Sequence, residues 1–178
     1  MDSLLNHLKS LTQPSSQNPI AADSLVTYVQ DHLAGARFAV TLLQDLSKQN
    51  VDSDVAHFAV DLRSEIEADR QVLEQFLTRL GPSTHSWKEI ASWVAQKASQ
   101  LKLNLHTALG IFEAIEFLAL GVQGKLALWK ALEVARNEDV RISELDFNAL
   151  IARAQTQYQE LESWRLKLAL KALANKKS

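Results

Sequence analysis

The sequence predicts an all-α fold, a four-helix bundle, and three observations predict it. Every long apolar run repeats at about 3.5 residues rather than alternating, which is the helical period. Only 3 Pro and 5 Gly interrupt 178 residues. No two alternating runs flank a tight turn, so no β-hairpin is expected. The length suits one domain with its own core. At 47% hydrophobic and 22% charged residues, the composition is that of an ordinary globular protein.

The chain opens with Leu4, Leu5, Leu8 and Leu11 at helical spacing, followed by Gln-Pro-Ser-Ser-Gln-Asn-Pro from Gln13 to Pro19. Residues 1–18 therefore read as a short amphipathic helix and a linker, with the bundle occupying 19–178. The first long helix has Asn18 or Asp23 as N-cap. Its seam is Leu25, Val29, His32, Ala36, Ala39, Leu43 and Leu46, and it ends near Asn50. The second starts at Asp52 or Ser53 and runs through Phe58, Leu62, Ile66, Asp69, Leu73, Phe76 and Leu80. Gly81-Pro82 stops it, because Gly accepts positive φ.

Ser86 and Glu89 form a capping box for a shorter helix over 87–100, with Trp87, Ile90, Ala91, Val94 and Ala98 on its apolar side. A break is read near Lys102 to His106. The third long helix, about Leu105 to Arg136, is apolar on nearly every side, which predicts neighbours all round and a central position. Ser143 and Asp146 cap the fourth. It runs through Phe147, Leu150, Ala154, Gln157, Leu161, Trp164 and Leu168 to a basic end with Lys167, Lys171, Lys176 and Lys177. The small residues Ala34, Gly35, Ala36 and Ala39, with Gly110, Gly121 and Gly124, predict close backbone approach; inside a helix each Gly costs about 1 kcal/mol relative to Ala.

Several function classes fall away at this stage. A balance of 19 Lys+Arg against 21 Asp+Glu gives a net charge of −2, with no pull toward nucleic acid or anionic lipid. Without Cys there is no disulfide, thiolate zinc site or sulfur nucleophile. The most apolar stretch, Leu105 to Leu132, carries Glu113, Glu116, Gln123, Lys125 and Lys130, too many polar groups for a membrane span. The N-terminus lacks the pattern of a secretory signal, so a cytoplasmic location is expected. No phosphate loop, nucleotide fingerprint or nucleophile motif is present, and no residue spacing names a reaction. Trp87, Trp93, Trp129 and Trp164 fall at seam or flanking positions, which predicts core packing rather than ligand stacking.

One constellation stands out: each long helix carries polar residues on its apolar stripe. His32, Glu65, Asp69, Glu113, Glu116 and Gln157 form a candidate polar cluster at mid-bundle. Imidazole and carboxylates there would suit iron, manganese or zinc. The same groups, hydrogen-bonded to one another, would make a structural network that fixes helix register, and a small-ligand pocket is the third reading. Of these, the structural network is favoured.

The segments LVTYVQDHLAGARFAVTLL, DLRSEIEADRQVLEQFLTRLG and IFEAIEFLALGVQGKLALW, with a long connection carrying an extra helix, resemble the ferritin-like superfamily, particularly its bacterial members. The resemblance covers about residues 23–175. It implies a bundle that can hold two metal ions, with one Glu from each of two helices and a Glu-x-x-His pair from each of the others. Under it, Glu116 corresponds to a single inward Glu, and Glu65 with Asp69 to the remainder of a pair. His32 stands where a Glu is expected, and the fourth helix offers Gln157 with Glu160. No Glu-x-x-His occurs, and the lone Asp-x-x-His, Asp54 to His57, lies in the first turn of its helix. The expectation is a non-enzymatic binding or interaction protein without cofactor, partnered by a second copy or another protein. The alternative is a degenerate ferritin-like metal-binding or redox protein.

Overall fold

A computed structural model describes residues 20–81 and 103–174. Every regular element among them is helical: α1 (Ala22–Leu46), α2 (Ser53–Leu80), α3 (Ala108–Ala135), α4 (Val140–Ser143) and α5 (Phe147–Leu173). The expected N-terminal amphipathic helix with its linker, the capping-box helix over 87–100, and Lys176 and Lys177 lie outside the described residues. None of the described helices is long and apolar enough to cross a membrane.

Local chemistry sets the ends. Asp52 caps α2 by accepting from the Val55 N–H at 3.3 Å. Thr107 caps α3 through the Gly110 N–H at 3.1 Å, and Asp146 caps α5 through the Ala149 N–H at 3.1 Å. α1 departs from expectation: Ala21 holds the N-cap position without a side-chain cap, and Asp23 sits inside the first turn where it complements the helix dipole. α1 also stops at Leu46. There the buried Gln49 takes over the turn, its Oε1 accepting from the Val51 and Asp52 N–H groups while its Nε2 donates to the Asp52 carbonyl. Gly81 ends α2 with φ +92°, the positive value its position predicts.

The four long helices pack around two apolar clusters placed end to end. One joins Leu42, Leu43 and Leu46 of α1 with the first half of α2, the first half of α3, and Leu161 and Leu168 of α5. The other joins Leu25 to Leu33 of α1 with Leu73, Phe76 and Leu80 of α2, Leu128 to Leu132 of α3, and Phe147 to Ala154 of α5. That partition fixes the topology. α1 with α2 and α3 with α5 form antiparallel pairs, while α2 and α3 run in the same direction, so residues 81–107 connect opposite ends of the core.

Two expectations need correcting. Among the described residues α3 does not have neighbours on every side, since Leu120 is 66% and Val134 85% exposed. Of the glycines read this way, Gly35 on α1 and Gly110, Gly121 and Gly124 on α3, Gly110 is the one that close approach requires: a Cβ there would lie 2.1 Å from the Asn104 carbonyl oxygen, in the turn that starts α3. A Cβ at Gly35, Gly121 or Gly124 would meet nothing within 4 Å.

Candidate functional site

Between the two apolar clusters lies one polar layer, built from a single seam position on each of three helices. On α2, Asp69 falls between Ile66 of one cluster and Leu73 of the other. Lys125 lies likewise between Val122 and Leu128 on α3, and Gln157 between Leu161 and Ala154 on α5. All three are buried, at 1%, 8% and 0% exposure. Steps of three and four residues bring each of them inward together with its apolar neighbours.

The layer is fully hydrogen-bonded. The Lys125 ammonium donates to Asp69 Oδ2 and to Gln157 Oε1. Arg153, one turn before Gln157 on α5, reaches in from the half-buried flank and donates from Nε to Asp69 Oδ1 at 2.7 Å, with its Nη2 on the same oxygen. The Gln157 amide donates to Glu65 Oε2 at 2.9 Å and more weakly to Asp69 Oδ2 at 3.4 Å. Two cations, Lys125 and Arg153, thus balance two carboxylates, Asp69 and Glu65. Burial pushes the Lys125 ammonium below its ordinary pKa, and the neighbouring Asp69 opposes that shift.

Of the six residues singled out from sequence, the structure brings Glu65, Asp69 and Gln157 together. Glu65 is exposed and joins the layer from its edge. His32, Glu113 and Glu116 stand outside it. On α1 the buried position is Leu33, which turns His32 to the flank; there it is half-buried, with its ring edge-on to Tyr28 at 4.9 Å. Partial burial lowers the His32 pKa, with Asp31 acting in the opposite sense. On α3 the inward stripe is Ile111, Ile115, Leu118, Val122 and Lys125, so Glu113 and Glu116 face outward. Glu116 meets Arg165 at 3.4 Å on the surface.

Sequence reading did not include Lys125 and Arg153 in the cluster. Lys125 carried a signal: it continues the alternation of four and three from Ile111 through Val122 to Trp129 and Leu132, and a Lys on such a stripe needs a buried anion. Arg153 carried a weaker one, sharing a face with Gln157 at a spacing of four.

The donor set does not suit a pair of metal ions. An ammonium and a guanidinium already occupy both oxygens of Asp69, and their charge repels a divalent cation. Among the described residues, no three His, Asp or Glu side chains are grouped to hold one. His57, in the Asp-x-x-His, places its ring Nδ1 2.7 Å from the Ser53 carbonyl oxygen at the exposed start of α2.

Comparison of the chain with protein-family models, curated proteins and solved structures gives no match.

Proposed function

We propose that this chain is a ferritin-like four-helix bundle, acting as a binding or interaction protein, in which an internal ion-pair network stands where metal-holding members of that superfamily keep their ions. The observation that carries the reading is the Lys125 ammonium bonded to Asp69 and Gln157 at the middle of the core. It supplies the positive charge that inward carboxylates require, and in doing so it ties α2, α3 and α5 together. The topology supports the same reading, because ferritin-like folds have one long crossover connection and residues 81–107 link parallel helices. Both oxygens of Asp69 accept hydrogen bonds, and Gln157 both donates and accepts, which supports a structural part for these two groups.

Metal analysis of the full chain, produced with iron and manganese in the growth medium, tests this. The expected content is far below one equivalent. One or two equivalents of a transition metal, lost in Glu65→Gln, would overturn the reading in favour of a degenerate metal protein.

A further inference from the structure

Ala34 is buried on the side of α1 that faces away from the core. It follows the wholly buried Val29 by five residues, and at about 100° per residue its side chain points about 140° round the helix from that one. One turn on, Arg37 reaches α2 through Glu74 and Phe38 reaches α3 through Phe117, so Ala34 lies on the ridge between those two contacts. Yet it is only 7% exposed, and it belongs to neither apolar cluster. One turn earlier, Gln30 Oε1 is buried without a hydrogen-bond partner among the described residues. An amide oxygen left that way is costly, so a donor is required beside it. The outer face of α5 is the opposite case: Ala152, Gln155, Gln159, Ser163, Leu166 and Leu170 are all exposed along it.

The chain itself supplies an occupant for the covered face. α1 and α5 each pack against both α2 and α3, which do not meet one another among the described residues, so the connection from Gly81 to α3 passes over one of those two helices. It has little slack. α2 and α3 are 28 residues each, about 42 Å long. Residues 82–102, with the helix expected over 87–100, reach about 44 Å: about 21 Å for the helix and about 23 Å for seven extended residues. We propose that residues 82–102 cross the outer face of α1, with Ile90, Ala91 and Val94 over Ala34 and a hydroxyl of Ser83, Thr84 or Ser86 donating to Gln30 Oε1. The order along the chain agrees, because a connection leaving Gly81 meets Gln30 before Ala34, and Ala34 before Phe38, whose contact with Phe117 leads to the first half of α3. The connection thereby gives a further hold, from outside, on the one long helix that makes no bond in the polar layer.

The chain has no Cys, so a single introduced thiol reports without interference. Labelling of Ala34→Cys in the folded full chain with a water-soluble maleimide is the test, with Gln159→Cys on the open face of α5 as reference. Ala34→Cys should react about tenfold more slowly than the reference, and Ile90→Ser with Val94→Ser should remove most of that difference while leaving Gln159→Cys unchanged. A rate for Ala34→Cys within about twofold of the reference, or a slow rate that the paired replacement does not move in a folded protein, would overturn the proposal. So would a protected Gln159→Cys that the same replacement frees, since the connection would then lie over α5. If the paired replacement unfolds the chain, photo-crosslinking without it decides the matter. Thr27→Cys, half-buried on the same side of α1 and carrying a benzophenone, should join α1 to residues 82–102. Adducts found only elsewhere in the chain, or none, would overturn the proposal. Metal content has no bearing on either readout, so this inference and the proposed function can fail separately.

Discussion

The middle of the core is built in two contrasting ways. Where α2, α3 and α5 meet, every seam position at that level is polar and bonded: Asp69, Lys125 and Gln157. Where α1 passes, it contributes Gly35 and Ala39, and a small cavity of about 40 Å³ remains against Leu62, Leu118 and Gly121. One side is held by charges that cannot be separated cheaply; the other is held by apolar contact alone, through residues such as Leu33, Leu42 and Leu43 of α1. Substitutions on the two sides should therefore have very different effects.

The largest effect belongs to the bonded side. Asp69→Leu leaves the Lys125 ammonium buried without its anion, and breaking a buried pair in this way costs on the order of 3–5 kcal/mol. Urea unfolding should show that loss as a lower midpoint. Replacing all three members together, with Asp69→Leu, Lys125→Met and Gln157→Leu, should return stability to the wild-type level or above, because apolar groups of similar volume need no partners. Arg153 can turn to solvent from its half-buried position, and Glu65 is already exposed. If the triple variant is as unstable as Asp69→Leu, the layer does more than satisfy its own members.

Glycines sharpen the contrast at smaller magnitude. Gly110→Ala forces a Cβ to within 2.1 Å of the Asn104 carbonyl oxygen and 2.5 Å of its carbon, so the turn before α3 must shift, at a cost of about 1–3 kcal/mol. On the hollow side, Gly35→Ala and Gly121→Ala meet nothing within 4 Å. Each should stabilise by about 0.5–1 kcal/mol through helix propensity alone. Thermal midpoints of the three variants give the comparison. A loss at Gly121→Ala would mean that the side beside α1 is tighter than its geometry indicates.

His32 gives α1 a dependence on pH. Its folded pKa lies below the ordinary 6.5, chiefly through burial. Between the two values the unfolded chain binds a proton that the folded chain does not, so stability falls as pH drops below 6.5 and levels off beneath the folded value. His32→Gln should flatten that part of the curve. Urea midpoints across pH 5 to 7 measure it, and parallel curves for the two proteins would remove His32 from the account.

How much of this was legible depended on the step pattern. Asp69 and Gln157 stand at seam positions flanked by aliphatic residues three and four away, and helical geometry leaves such residues nowhere else to point. The same rule identifies Lys125, whose charge both excludes a membrane span and requires a buried anion. His32, Glu113 and Glu116 were ambiguous for a physical reason. A helix apolar on most of its circumference, such as α3, has no unique inward direction in sequence, and α1 has a buried Leu33 beside His32. A rotation of one residue, about 100°, decides which side chain reaches the core. The parallel run of α2 and α3 is not carried by the seams, whose period favours near-antiparallel neighbours; it shows only in which halves of the two helices share a cluster.

The smallest expected effect concerns Glu116, the acid that the family resemblance pointed inward. It is exposed and meets Arg165 at 3.4 Å, while Arg165 also bonds Glu162 one turn away on its own helix at 2.7 Å. An exposed pair of this kind contributes about 0–1 kcal/mol, and Arg165 keeps its nearer partner when Glu116 is neutralised. Glu116→Gln should therefore shift the urea midpoint by no more than about 0.5 kcal/mol in free energy, some tenfold less than Asp69→Leu. Added salt should reduce even that difference, since the pair is open to solvent. Equal losses at Glu116 and Asp69 would place both acids in one buried site, and the distinction between a bonded centre and a solvated rim would fail.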